Sequence, residues 1–315
     1  MAGLHQCFDK IANKGYHKQT NYDKIGKKVI KTYKNSVRLT RMPDIFQQEA
    51  QGWLRCGAPP FAGAVAGLTT KQGGESEGPF ASLNMGLHVG DDRMHVVNNR
   101  RRLAEWLSVP LDHWVCCEQV HGAVIRKVTK GDRGSGAHDF AAAVRGADGL
   151  YTDKAGVLLA LCFADCVPVY FIAPSAGLVG LAHAGWRGTA GGIVQNMVRL
   201  WQEREHIAPS DIYAAIGPAI GPCCYTVDDR VIDGLRPTLP AGGPLPWRET
   251  SQGQYALDLK EANRLQLAAA GIPDCHIYVS ERCTSCEETL FFSHRRDRGT
   301  TGRMLAFIGR REETA

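Results

Sequence analysis

Two apolar runs do most to constrain what this chain can fold into. GVLLALCFADCVPVYF begins at Gly156 and GLVGLAHAGWRGTAGG at Gly177. Each holds a stretch of strand length that stops at a polar, chemically able residue. The first stops at Cys166, and the second at His183, 17 positions on. The second run passes straight into a glycine-rich helix start that carries Arg187. No apolar run reaches the roughly 20 residues needed to cross a bilayer.

Segments rich in Val, Ile, Leu and aromatics predict strands over 62–68, 114–119, 124–127, 149–152, 157–163, 168–172, 178–182, 212–216, 276–278 and 304–308. Helices are predicted over 94–107, 189–205, 227–235 and 258–270, with a short one over 43–51. Ile193, Met197, Leu200 and Trp201 fall at helical spacing and mark a core-facing stripe. Strands and helices do not strictly alternate. The expected class is therefore α/β, a single domain of mixed β-sheets with flanking helices, not a doubly wound parallel sheet. Residues 51–315 are expected to form the catalytic domain and residues 1–50 a basic extension.

Charge supports that division. The net charge of +5 is concentrated in residues 1–42, which carry ten Lys or Arg and two acids; the remainder is at −3. Such an arm is usually a solvated extension, so nucleic acid is not the expected partner. The N-terminal residues lack the apolar core of a secretory signal. The 11 cysteines include two adjacent pairs and make a poor disulfide framework, which suits a reducing compartment. A cytoplasmic location is expected.

Cys166 sits in a turn between two apolar strands, where a thiol is either an inert small hydrophobe or a reactive group in a polar setting. His183 ends its strand beside small residues and reads as a turn support or a site residue. His121, in CCEQVHGAVI, reads as a loop histidine when taken alone. Together, two imidazoles and a thiolate are three good Zn²⁺ ligands, and three protein ligands with an open position is the arrangement of catalytic zinc. Their separations of 45 and 17 positions match no local zinc signature. A Cys166–His183 nucleophile–base pair, as in cysteine hydrolases, competes for the same residues. Cys283-Thr-Ser-Cys286 is a lone CxxC and a weak zinc signal.

Arg187 and the helix start after Gly188 form a candidate anion site. Asn84 and His88 lie in the turn-rich PFASLNMGLHVGDD, and FFSHRRD supplies Ser293, Arg295, Arg296 and Asp297. Each is a candidate contact to substrate or phosphate, or an ordinary solvated residue.

ASLNMGLHVGDD, EQVHG, ADCVPVYF, HAGWRGT, GPAIGPCCYTV and FFSHRRDRGTTGRMLAFIG, in this order, resemble the YfiH-like family. It is also called the multicopper polyphenol oxidase (laccase) domain family and a purine nucleoside phosphorylase family. The resemblance spans roughly 61–309. It implies a layered α/β/β/α fold and a metal centre whose ligands fall on His121, Cys166 and His183, with Zn²⁺ expected and copper an alternative occupant. The implied activities are phosphorolysis of adenosine, inosine and methylthioadenosine, and deamination of adenosine. Peptidoglycan precursor editing by a cysteine-type amidase and copper polyphenol oxidation are the alternatives. Where the family usually carries an arginine near its start, GLTTKQGG has Lys71, which keeps the charge but loses the bidentate fork. Arg187, Lys71 and the helix start are the expected phosphate contacts. Multicopper chemistry needs several histidine-built sites, yet none of the 11 histidines forms an HxH pair.

Overall fold

The apolar runs are continuous because their strands are buried on both faces. In β7 (Leu158–Phe163) every residue is buried, and alternate side chains serve two different cores. Leu159, Leu161 and Phe163 enter one cluster, whereas Leu158, Ala160 and Cys162 enter another. β8 (Val167–Ala173) and β9 (Leu178–Ala184) are also buried throughout. From them Tyr170, Ile172, Val179 and Leu181 join the first cluster, while Val167, Val169, Phe171 and Ala182 join a third.

The computed structural model describes residues 43–49 and 52–312. It contains two six-stranded sheets and a smaller one. The first sheet runs β1 (Phe46–Gln48), β2 (Trp53–Cys56), β3 (Val65–Thr69), β15 (Met304–Gly309), β7 and β4 (Trp114–Val115). The second runs β14 (Ile277–Val279), β10 (Tyr213–Ile216), β8, β9, β6 (Gly149–Thr152) and β5 (Ile125–Lys127). The third is β11 (Thr226–Asp228), β13 (Gln254–Leu257) and β12 (Trp247–Ser251). Both large sheets are mixed: β4–β7, β5–β6 and β10–β14 pair in parallel and their other pairs are antiparallel.

The central cluster takes side chains from both large sheets, so the two stack face to face. α1 (Arg93–Leu107) covers the outer face of the first sheet, packing Leu103 and Leu107 against Leu305 and Phe307. On the outer face of the second lie α2 (Trp186–Ala190), α3 (Ile193–Arg204), α4 (Asp229–Leu235) and α5 (Leu259–Ala269). There Met197, Trp201 and Leu267 share the third cluster with Val169 and Phe171. The layers are thus α/β/β/α, as expected. Among the described residues, no helix is long and apolar enough to cross a membrane.

Three expectations need correction. The short helix over 43–51 is not formed. Phe46 is instead the one buried residue of β1, with its ring 5.4 Å from that of Tyr170, and the strand pairs with β2. Residues 46–48, placed from the sequence in the extension, thus pair in the first sheet; residues 1–42 lie outside the described residues. The helix over 189–205 is two helices, broken where Gly192 adopts φ 68°. The start of the helix over 227–235 is strand β11, and α4 begins at Asp229 with Asp228 as its N-cap, accepting from the Val231 N–H.

Leu161 lies in the central cluster opposite Ala306 of β15. Truncation to alanine leaves a hole between two rigid layers, and the expected loss is about 2–5 kcal/mol of unfolding free energy. Urea denaturation of Leu161→Ala, read by fluorescence and circular dichroism, measures it.

Candidate metal centre and reaction cavity

β7 and β8 belong to different sheets, so the chain crosses between layers at residues 164–166. Asp165, at the crossing, has φ 87°, a left-handed backbone that costs a non-glycine residue about 1–3 kcal/mol. Its carboxylate holds it there, accepting from Thr284 Oγ1 at 2.7 Å, Ser293 Oγ at 3.0 Å and the Arg295 N–H at 2.7 Å. Cys166 follows directly. Because β8 pairs antiparallel with β9, with Val167 opposite Ala184 and Pro168 opposite His183, the thiol and the imidazole come from adjacent strands.

His121 arrives from the loop between β4 and β5, also with positive φ, at 61°. One residue holds both histidines, one by its backbone and the other by its ring. The fully buried Asp148 accepts from the His121 N–H at 2.9 Å, the Gly122 N–H at 2.7 Å and His183 Nδ1 at 3.0 Å. A carboxylate can only accept, so the Nδ1 of His183 carries the proton and its Nε2 is the free donor atom. Gly185 makes room for the thiol, since a Cβ there would lie 2.9 Å from Cys166 Sγ.

The donor atoms of His121, Cys166 and His183 all lie within 4.8 Å of one another, and the two imidazole rings stand edge to face at 5.0 Å. Burial opposes ionisation of the Cys166 thiol, but the His183 charge and hydrogen bonds from both histidines outweigh it and bring it well below the ordinary thiol range. The nearby thiols of Cys116, Cys117 and Cys162 are pushed up, chiefly by burial. Only at Cys166, of these four, does the surrounding structure favour a thiolate. A thiolate flanked by two oriented imidazoles is a donor set suited to zinc or copper, with room for a further ligand.

The three residues form part of the wall of a cavity of about 380 Å³, a size within the usual range for small-molecule sites. Trp186, Ile220, Tyr225 and Leu259 give it apolar and aromatic surface; Arg187, Arg295 and Arg303 give it positive charge. The Arg187 guanidinium lies over the Trp186 ring at 4.6 Å and makes no ion pair among the described residues. Arg295 is partly committed, donating to Thr226 O at 2.8 Å and lying 4.8 Å from the Tyr225 ring. Arg303 donates to Thr301 O and Gly302 O.

Of the residues singled out from the sequence, His121, Cys166, His183, Arg187, His88 and Arg295 meet at this cavity. Two do not. Asn84 is fully buried, binding Asp91 and accepting from the N–H groups of Gly86 and Arg303, so it braces the wall without lining the cavity. Lys71 lines a separate depression with Glu288, Arg296 and Asp297, and its backbone ties the Leu290, Ser82 and Leu83 segments together. The guanidinium of Arg296 is occupied by Asp297 and by the carbonyls of Thr284, Ser285 and Phe291. Sequence reasoning missed Asp148, Gln119, Tyr225, His294 and Arg303. Gln119 binds both the N–H and the C=O of Cys162, at 2.7 and 2.8 Å, in the manner of a neighbouring strand.

The family model for the multi-copper polyphenol oxidoreductase laccase matches residues 65–311. A Geobacillus stearothermophilus protein named purine nucleoside phosphorylase YlmD is 86% identical over 272 residues, covering 86% of this chain and 99% of that protein. The Bacillus subtilis protein of the same name is 52% identical over 248 residues, covering 79% and 89%. The crystal structure of YlmD from Geobacillus stearothermophilus superposes with a TM-score of 0.85 at 86% identity, covering 86% of this chain and all of that one. That of the Bacillus licheniformis hypothetical protein YfiH gives 0.82 at 54% identity, covering 84% and 98%. With the layered fold and these matches in agreement, the chain belongs to the YfiH-like family described as multi-copper polyphenol oxidoreductase laccase, among whose members are proteins named purine nucleoside phosphorylase.

Proposed function

We propose that this protein is a zinc-dependent purine nucleoside phosphorylase that also deaminates adenosine. The observation that carries the reading is the meeting, in one cavity, of the His121/Cys166/His183 donor set with Arg187, which has no ion-pair partner among the described residues. A divalent ion held by those three donors supplies Lewis acidity and makes nearby water a better nucleophile at neutral pH. In phosphorolysis, a phosphate oxygen bonds to the ribose anomeric carbon as the glycosidic bond breaks, and the purine leaves with the bonding pair. Arg187, with its fork free, suits the phosphate dianion, and Arg295 and Arg303 add to the positive field. Trp186 and Tyr225 offer aromatic faces for a purine. Deamination uses the same nucleoside pocket but adds water at the purine C6 and releases ammonia.

Metal-replete protein incubated with inosine and phosphate is expected to release hypoxanthine and ribose 1-phosphate, followed by chromatography. Adenosine is expected to give inosine as well. No product from either nucleoside would refute the reading. A multicopper oxidase is disfavoured because, among the described residues, the only histidine-containing donor group is this trio.

Asp148 gives a further expectation. It fixes the tautomer of His183 and the loop of His121 at once, so Asp148→Asn is expected to weaken metal affinity by about 10- to 100-fold. Competition against a chromogenic chelator measures this. Unchanged affinity would show that the two histidines are held by other means.

A further inference from the structure

Among the described residues there is one other compact group of metal-ligating side chains, and the proposed reaction does not use it. Cys223, Cys224, Cys283 and Cys286 bring their four sulfurs within 4.8 Å of one another. Cys286 Sγ lies 3.4 Å from the sulfurs of both Cys223 and Cys224. That is far beyond the S–S bond of about 2.05 Å, so these are not disulfides. It is close to the spacing in a tetrahedral tetrathiolate, where Zn–S bonds of about 2.3 Å put sulfurs roughly 3.8 Å apart.

The backbone is arranged for this cluster. Ala219 bridges to Cys283, and the Thr284 N–H donates to Ala219 O at 3.1 Å, so the two cysteine-bearing loops run side by side. The Gly221 N–H donates to Cys283 Sγ at 3.2 Å, a bond that favours a thiolate. A Cβ at Gly221 would stand 3.3 Å from Cys223 Sγ and 3.5 Å from Cys283 Sγ, so glycine leaves the sulfurs free to converge. Cys223 and Cys286 are exposed while Cys283 is buried, which places the group at the surface with one ligand anchored inside. Four soft donors with no open side chain of another type make a closed structural site, unlike the three-donor centre in the cavity.

We propose that Cys223, Cys224, Cys283 and Cys286 hold a structural zinc ion that clamps two loops forming one wall of the reaction cavity. Tyr225, next to Cys224, lines that cavity. Thr284, next to Cys283, donates to Asp165, which precedes Cys166. The clamp therefore bears on both the aromatic wall and the crossing that presents the cavity thiol.

The test is metal content of the full chain, purified under reducing conditions and measured by elemental analysis. About two zinc ions per chain are expected, one for each donor group. A His121→Ala/His183→Ala variant is expected to keep one, and its cobalt-substituted form to show thiolate-to-cobalt charge transfer and the intense visible bands of a tetrahedral site. Cys223→Ser/Cys286→Ser is expected to lose the second zinc and keep the first. Cys286→His, which preserves a ligand, is expected to retain zinc that Cys286→Ser loses, separating ligand loss from misfolding. The proposal is overturned if the His121→Ala/His183→Ala variant binds no metal, if Cys223→Ser/Cys286→Ser retains both ions, or if mass spectrometry finds a disulfide among the four cysteines of the reduced preparation. None of these readouts depends on turnover.

Discussion

Replacing Cys166 with serine is expected to strip the cavity of the proposed metal and abolish both proposed reactions, phosphorolysis and deamination. The thiolate is the one anionic donor of the three-residue set, and it sits between two histidines that Asp148 holds, His183 through its imidazole and His121 through its backbone N–H. Serine keeps the size but offers a neutral hydroxyl, a poor ligand for zinc. The loss should exceed the about 10- to 100-fold that removal of an outer hydrogen-bond partner costs, because a direct ligand is gone. Cys166 is only partly buried and lies at a strand end, so the fold should survive. The informative measurement pairs metal content with turnover of inosine and adenosine. Loss of both supports the ligand role. Full retention of the cavity metal with turnover abolished would mean that Cys166 is a nucleophile. A trapped acyl-enzyme on the wild-type thiol would then support the amidase reading.

How far the sequence discloses this site follows from the range of the interactions. β7, β8 and β9 were legible because burial on both faces leaves uninterrupted apolar runs. The places where those runs end, at Cys166 and His183, were legible for the same reason. β1 was not, because FQQ places one apolar residue inward and two polar residues outward, too short an alternation to read. The hairpin of β12 and β13 was hidden because β12 is almost wholly exposed and polar and β13 buries only Ala256 and Leu257. Asp148 was invisible because its value is created by distance: it faces His121 and His183 only once β6 pairs with β9. Cys283 and Cys286 looked like a lone motif for a related reason. Cys223, the partner of Cys286, lies 63 positions away, and only the bridge between Ala219 and Cys283 brings the two loops together. Lys71 is the opposite case. Position along a motif suggests a phosphate contact, whereas the fold sets it in a depression separate from the metal-centre cavity.

Arg187→Ala is expected to separate the two reactions that this cavity is proposed to run. Arg295 and Arg303 spend part of their hydrogen-bonding capacity on backbone carbonyls, while Arg187 rests on Trp186 with its donors uncommitted to any acid among the described residues. Phosphorolysis needs a phosphate dianion bound in line with the anomeric carbon, and loss of a charge-assisted hydrogen-bond partner to it costs about 1.5–3 kcal/mol, roughly 10- to 100-fold. That loss should fall mostly on the Michaelis constant for phosphate and on kcat/KM, with zinc content unchanged. Deamination takes no phosphate and should fall by less than about 10-fold, the scale of a lost peripheral contact. Arg187→Lys should lie between, since the ammonium restores charge but not the planar fork. Equal losses in both reactions would refute the phosphate assignment and make Arg187 a support for the Trp186 ring. A selective loss would also explain why one three-donor centre can serve two chemistries. The metal donors are common to both, and the choice between water and phosphate then lies in the cation beside them.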